Sequence, residues 1–140
     1  MPAVEAHLKI DAEEDIVASR QRAREVARQL GFGAVDQSRI ATAVSELARN
    51  VVRYATDGKG EVTIREVRGP DASGGRSGIE VVISDDGPGI ADVDQALRDG
   101  FTSGGGMGMG LPGTRRLMDE MTIDSAVGQG TVVTIRKWRR

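Results

Sequence analysis

Between Val35 and Ala55 the apolar residues Ile40, Val44, Leu47, Val51 and Tyr54 recur in steps of three and four. That spacing belongs to an amphipathic helix with one face turned to a core. Glu46 and Asn50 lie four apart in the same run, so they stack on one face, one turn above the other. Their face is offset from the apolar stripe by one residue, about 100° of rotation. An acid and an amide are thereby held at the margin of the core, where a pocket could open. The helix alone defines no chemistry; its meaning depends on the glycines downstream.

A chain of 140 residues predicts one domain, residues 1–140, large enough to bury a core without staples. The formal net charge of −2 gives no general attraction to nucleic acid or to an anionic membrane. The basic end, Arg136-Lys137-Trp138-Arg139-Arg140, is too short to track a phosphate backbone and reads as a solvated strand end. There is no cysteine, which excludes disulfides, thiolate metal sites and a cysteine nucleophile. No apolar run approaches the roughly 18 residues of a membrane span, and no signal-peptide pattern opens the chain. A soluble, cytoplasmic domain is expected.

Taken in order, Val4 to Ile10 alternates as a half-buried strand, with His7 on its polar side. Asp11 is the expected N-cap of a first helix, with Glu13, Glu14 and Asp15 in its first turn and Gly31 as its left-handed C-terminal cap. The arginines of that helix, Arg20, Arg22, Arg24 and Arg28, are expected on its wet face. Asp36 is expected to cap the second helix, which should end near Asp57-Gly58. Strands are expected at Glu61 to Val67 and through Ile79, Val81 and Ile83, joined by the hairpin loop Gly69 to Gly78. Parity places Asp85 next in the inward row of the second of these strands, and a carboxylate there needs a partner. A short helical segment at Asp92 to Arg98, a glycine-rich loop, and a helix opening near Leu111-Pro112 follow, with Leu117 and Met121 on that helix's inward side. Strands at Met121 to Ala126 and Thr131 to Trp138 close the chain. The order of elements suggests an α/β two-layer sandwich with helices on one face of a mixed sheet.

Glycine occurs 19 times, about twice its usual share of roughly 7%, and it is clustered. Gly106-Met107-Gly108-Met109-Gly110 ahead of a helix would let backbone N–H groups approach an anion, with the helix dipole adding to the attraction. The spacing fits neither the Rossmann fingerprint nor the P-loop. Asp85-x-Gly87-x-Gly89 at a strand end is uninformative by itself, because such turns are common.

The joint order is far more specific. Glu46-x3-Asn50, Asp85-x-Gly87-x-Gly89, Gly106-x-Gly108-x-Gly110-Leu111 and Gly128-x-Gly130-Thr131 together resemble the N, G1, G2 and G3 boxes of the GHKL superfamily of ATP-binding proteins, which share the Bergerat fold. The phrases Ser45-Glu46-Leu47-Ala48-Arg49-Asn50, Asp99-Gly100-Phe101-Thr102-Ser103, Gly110-Leu111-Pro112-Gly113 and Arg116-Leu117-Met118-Asp119-Glu120 are similar to RsbT-type serine/threonine switch kinases of bacterial stressosome pathways. Those kinases are related to the anti-sigma factors RsbW and SpoIIAB.

The resemblance implies roles residue by residue. Asn50 would hold Mg²⁺ through its amide oxygen, beside ATP phosphates and water. Asp85 would accept a hydrogen bond from the adenine amino group, Gly87 and Gly89 would let the base lie against the turn, Ile90 would pack nearby, and Thr131 would support the adenine side. The segment from Thr102 and Ser103 through Gly106, Gly108, Met109 and Gly110 to Leu111 would form a lid over the triphosphate. Glu46 would orient a target hydroxyl and take its proton. The implied function is transfer of the ATP γ-phosphate to a STAS-domain antagonist protein, with release of the kinase to activate a PP2C-type phosphatase. The alternative is an RsbW-like anti-sigma factor that sequesters a sigma factor, which would use the same pocket. A histidine kinase catalytic domain fits less well, since no helical phosphoacceptor histidine is present. Arg49 and Arg53 are given no role.

Overall fold

The computed structural model describes residues 5–54, 59–69, 76–87 and 110–139. Its elements are β1 (Glu5–Ile10), α1 (Glu13–Gln29), α2 (Ala34–Tyr54), β2 (Gly60–Arg68), β3 (Ser77–Asp85), α3 (Gly110–Leu117), β4 (Glu120–Ser125) and β5 (Thr131–Trp138). The expected 92–98 segment, the end of α2 near Asp57-Gly58 and most of the 69–78 loop lie outside the described residues.

The strands form one sheet in the order β1-β2-β3-β5-β4. Alternation decides which side of it is covered. Ala6, Ile10, Val62, Ile64, Ile79, Val81, Ile83, Val133 and Ile135 are buried and share one parity per strand, so they face the helices. From above, α1 contributes Ile16, Ala23, Val26 and Ala27, and α2 contributes Ile40, Val44, Leu47 and Val51. The periodicity expected of α2 therefore holds from Ile40 to Val51, the side chain of Tyr54 lying outside the described residues, and the two-layer arrangement is as expected. His7 is exposed, and its Nδ1 lies 2.9 Å from the Thr63 hydroxyl.

The expected mixed sheet is corrected. Every pairing among the described residues is antiparallel. Two helices between β1 and β2 carry the chain across the sheet and back, so β2 returns against β1. After β3 a crossover through α3 delivers β4 in the same direction as β3. The hairpin partner β5 then occupies the gap between those two, opposed to both.

Helix ends also differ in detail. The N-cap of α1 is Ala12, not Asp11. Asp15 reaches back instead, its Oδ2 accepting from the backbone N–H groups of Asp11 at 2.8 Å and Ala12 at 3.0 Å, as the third residue of a helix does in half a capping box. Gly31 does close α1, with φ of 90°. Its N–H reaches the Arg28 carbonyl and the N–H of Phe32 reaches that of Ala27, the two bonds of a Schellman motif. Asp36 does not cap α2, because the helix begins two residues earlier at Ala34; it bonds Arg39 at 3.0 Å instead. Met121 belongs to β4, and Met118, 7% exposed, takes the buried place just past α3.

On the sheet's uncovered face Glu80 is buried by the guanidinium groups of two flanking strands. Arg65 Nε and Arg136 Nε each donate to it at 2.7 Å. Burial alone would push this carboxyl up, but the hydrogen bonds from Arg65 and Arg136 win and hold it below the ordinary range. A depressed carboxylate contributes stability that is fully present above its unfolded value, about 4.3 for glutamate, and is lost as pH falls through the folded value. Glu80→Gln is accordingly expected to cost about 1–2 kcal/mol at pH 7, less than a fully desolvated pair because Arg65 can rehydrate. Urea unfolding checks this, and the gap from wild type should shrink below about pH 4.

Candidate functional site

One row of residues crosses all five strands at the same end of the sheet. Ile10 pairs with Gly60, Gly60 with Asp85, Asp85 with Thr131, and Thr131 with Ser125. Two glycines bring other backbone against this row. A Cβ on Gly60 would stand 2.5 Å from the Ser84 carbonyl oxygen and 2.7 Å from Val51 Cγ1. Val51, the neighbour of Asn50, thus seats the last turns of α2 on the strand end. Gly130, at φ of 81°, approaches the other side; its Cβ would lie 2.1 Å from the Asp85 carbonyl oxygen. Nothing larger than glycine fits either place without a shift of backbone.

Asp85 ends β3 half-buried. Its Oδ1 accepts from the Gly87 N–H at 2.8 Å, which turns the chain. Burial pushes the carboxyl up, the Gly87 amide draws it back, the neighbouring Asp86 charge adds to the rise, and the Thr131 amide opposes it; the net result is above the ordinary aspartate range. Beside it the Thr131 and Ser125 hydroxyls lie 2.8 Å apart, and Ser125 Oγ donates to the Gly130 carbonyl at 3.0 Å. Among the described residues Asp85 has no cationic partner, and a half-buried carboxylate in that setting is an acceptor waiting for a donor. A flat, amino-bearing group placed against the Gly87 turn would supply one.

Along α2, Asn50 is half-buried and Glu46 lies one turn back, its side chain 14% exposed. Glu46 Oε1 accepts from Arg49 Nη1 at 3.0 Å. Among the described residues no group of three or more His, Cys, Asp or Glu could hold a metal ion. At the start of α3, Gly110 has φ of 65° and its carbonyl accepts from the Thr114 hydroxyl at 2.9 Å. Leu111 packs half-buried against the core. The far end of α3 is held by Lys137, whose Nζ donates to the Leu117 carbonyl at 3.0 Å.

The structure thus brings Asp85, Gly87 and Thr131 together and sets the Glu46–Asn50 helix beside them through Val51 and Gly60. Gly89, Ile90, Thr102, Ser103, Gly106, Gly108 and Met109 lie outside the described residues.

A family model of the histidine kinase-like ATPase domain matches residues 10–137. The serine/threonine-protein kinase RsbT of Bacillus subtilis (strain 168) is 50% identical over 133 residues, 95% of this chain and 96% of that one. The chain belongs to this family. An anti-sigma F factor of Thermoanaerobacter sp. (strain X514) is 35% identical over 71% of this chain and 68% of its own length. Two solved structures share the fold. The RsbU and RsbW domains of a Mycobacterium tuberculosis protein superpose with a TM-score of 0.65 at 22% identity, covering 99% of this chain and 34% of that one. The mycobacterial sensor histidine kinase MprB gives 0.58 at 24% identity, covering 96% and 99%. The family and its half-identical relative make this an ATP-dependent enzyme of the kinase type. No helix among the described residues is long and apolar enough to cross a membrane.

The sequence alone singled out neither Gly60 nor the bond of Arg49, which was given no role, to Glu46. A glycine two residues after Gly58, opening a strand, was the available signal for the first; the i, i+3 spacing from Glu46 was the signal for the second.

The raised Asp85 carboxyl has a consequence for stability. The folded protein holds its proton more tightly than the unfolded chain, so stability falls as pH rises above about 3.9, the ordinary aspartate value. Asp85→Asn keeps an oxygen for the Gly87 N–H and removes that loss. The variant is expected to melt at or above the wild-type temperature at pH 7, with the advantage vanishing toward pH 3.5. A thermal melt series across pH checks it, and a variant that melts well below wild type would contradict it.

Proposed function

We propose that this chain is a serine/threonine protein kinase working in the cytoplasm, which transfers the ATP γ-phosphate to a hydroxyl on a STAS-domain antagonist protein. Once its substrate is phosphorylated, the freed kinase binds and activates a PP2C-type phosphatase. The observation that carries the reading is the seating of the Glu46–Asn50 helix on the strand end that holds Asp85, through Val51 and Gly60. The half-identical serine/threonine kinase relative supports it.

The residues fit an adenine nucleotide. Asp85 offers a half-buried acceptor to the base amino group, with the Gly87 turn beneath it and Thr131 at its side. Phosphates extending toward α2 would meet Asn50, while Gly110 and its neighbours before α3 would cover them. Asn50 fits Mg²⁺ as a single hard oxygen ligand, the usual way this ion is held when phosphates and water supply the rest. When bound, the ion would neutralise charge on the phosphates. Glu46 accepts the proton of the attacking serine or threonine hydroxyl as that oxygen bonds to the γ-phosphorus. The bond from phosphorus to the β-γ bridging oxygen breaks, and ADP leaves with the electron pair.

Anti-sigma F relatives at 35% identity support a second reading, a nucleotide-dependent protein that sequesters a sigma factor. Both are tested by mixing the protein with Mg-ATP and the organism's small STAS-domain proteins, followed by intact-mass spectrometry. One added phosphate on a STAS protein is expected, with the rate reduced about 10²–10⁴-fold in Glu46→Ala. ATP affinity should be little changed by that substitution but weakened at least about tenfold by Asp85→Ala. Tight ATP binding with no transfer, and a stable complex with a sigma factor, would favour the second reading.

A further inference from the structure

We propose that Arg49 is a positioning residue for phosphoryl transfer, holding the Glu46 carboxylate in the orientation that receives the hydroxyl proton. This rests on the kinase reading above. Among the described residues, the i, i+3 ion pairs of α1 and α2 differ in setting. Glu25–Arg28 on α1 has side chains 41% and 62% exposed, and Asp36–Arg39 at the start of α2 has 27% and 51%. Glu46–Arg49 is the most enclosed of these, at 14% and 30%. Exposed pairs of this kind contribute little and exchange readily with water. A partly desolvated guanidinium bonded to Oε1 at 3.0 Å restricts the rotation of a three-torsion side chain far more.

The geometry has a functional direction. Arg49 engages Oε1 alone, and among the described residues Oε2 is left to accept from a substrate. The guanidinium carries no exchangeable role in the proton transfer, since arginine stays protonated. Its action is to fix where the acceptor oxygen points, and misplacement of a reacting group by about 1 Å can cost about a hundredfold in rate.

The test is single-turnover transfer from radiolabelled ATP to the STAS-domain acceptor, with excess enzyme. Wild type, Arg49→Gln, Arg49→Lys, Glu46→Gln and the double variant Arg49→Gln/Glu46→Gln would be compared. Arg49→Gln is expected to lower kcat about tenfold or more while KM for ATP stays within about twofold. Arg49→Lys should recover part of the loss, because it keeps a cationic donor. In the Glu46→Gln background, Arg49→Gln should change the rate less than about twofold, since the two act as one unit. An unchanged kcat in Arg49→Gln, or an equal loss in the Glu46→Gln background, would overturn the assignment while leaving the kinase reading intact. Should Arg49→Gln prove unstable in a melt, Arg49→Ala is measured in its place, and an Arg49→Lys rate below that of Arg49→Ala overturns the assignment. Absence of transfer by wild type would overturn both readings.

Discussion

The close approach of three backbones at one end of the sheet governs everything that the candidate site contains. Gly60 and Gly130 stand on either side of Asp85, and a Cβ on them would fall 2.5 Å from the Ser84 oxygen and 2.1 Å from the Asp85 oxygen. The same Cβ on Gly60 would stand 2.7 Å from Val51 Cγ1, so the bare glycine also lets α2 settle onto the strand end. Gly130 brings the turn before β5 against the turn after β3. Two hydrogen atoms in place of methyl groups thus let β2, α2 and the turn before β5 come close to the end of β3.

Strand β3 carries two carboxylates with opposite treatment. Glu80 is buried beneath Arg65 and Arg136, and their hydrogen bonds hold it in the charged form. Asp85, five residues on, has backbone amides and, among the described residues, no arginine, and burial raises its carboxyl. The first arrangement is what a sheet needs in order to be stable. The second works against stability, and such groups concentrate where a ligand is to complete the hydrogen bonding. The contrast within one strand separates a carboxylate held charged by arginines from one raised by burial, and it is the second that the proposed nucleotide reading uses.

Much of this was legible in the sequence because periodic burial leaves a periodic signature. The Ile40–Val44–Leu47–Val51 stripe placed α2 correctly, and parity along Ile79, Val81 and Ile83 brought Asp85 to the end of the inward row. Sheet direction was not legible, because β4 and β3 do run the same way and only the insertion of β5 between them makes all neighbours antiparallel. The α1 cap was misplaced by one residue, since the helix opens after Ala12 and Asp15 reaches back from inside it to the amides of Asp11 and Ala12. Gly60 escaped notice because its need is for contact space, which depends on what tertiary packing brings over it. Arg49 escaped because surface arginines look alike until their burial is known.

In the proposed complex the nucleotide lies along this strand end, base at Asp85 and phosphates toward Asn50. A crystal structure with a non-hydrolysable ATP analogue and Mg²⁺ is the decisive test. The adenine amino group is expected within hydrogen-bonding distance of an Asp85 carboxylate oxygen, with the Asn50 amide oxygen facing the metal–phosphate cluster. An analogue bound with its base away from the β3 end, or with Asn50 turned from the phosphates, would contradict this placement.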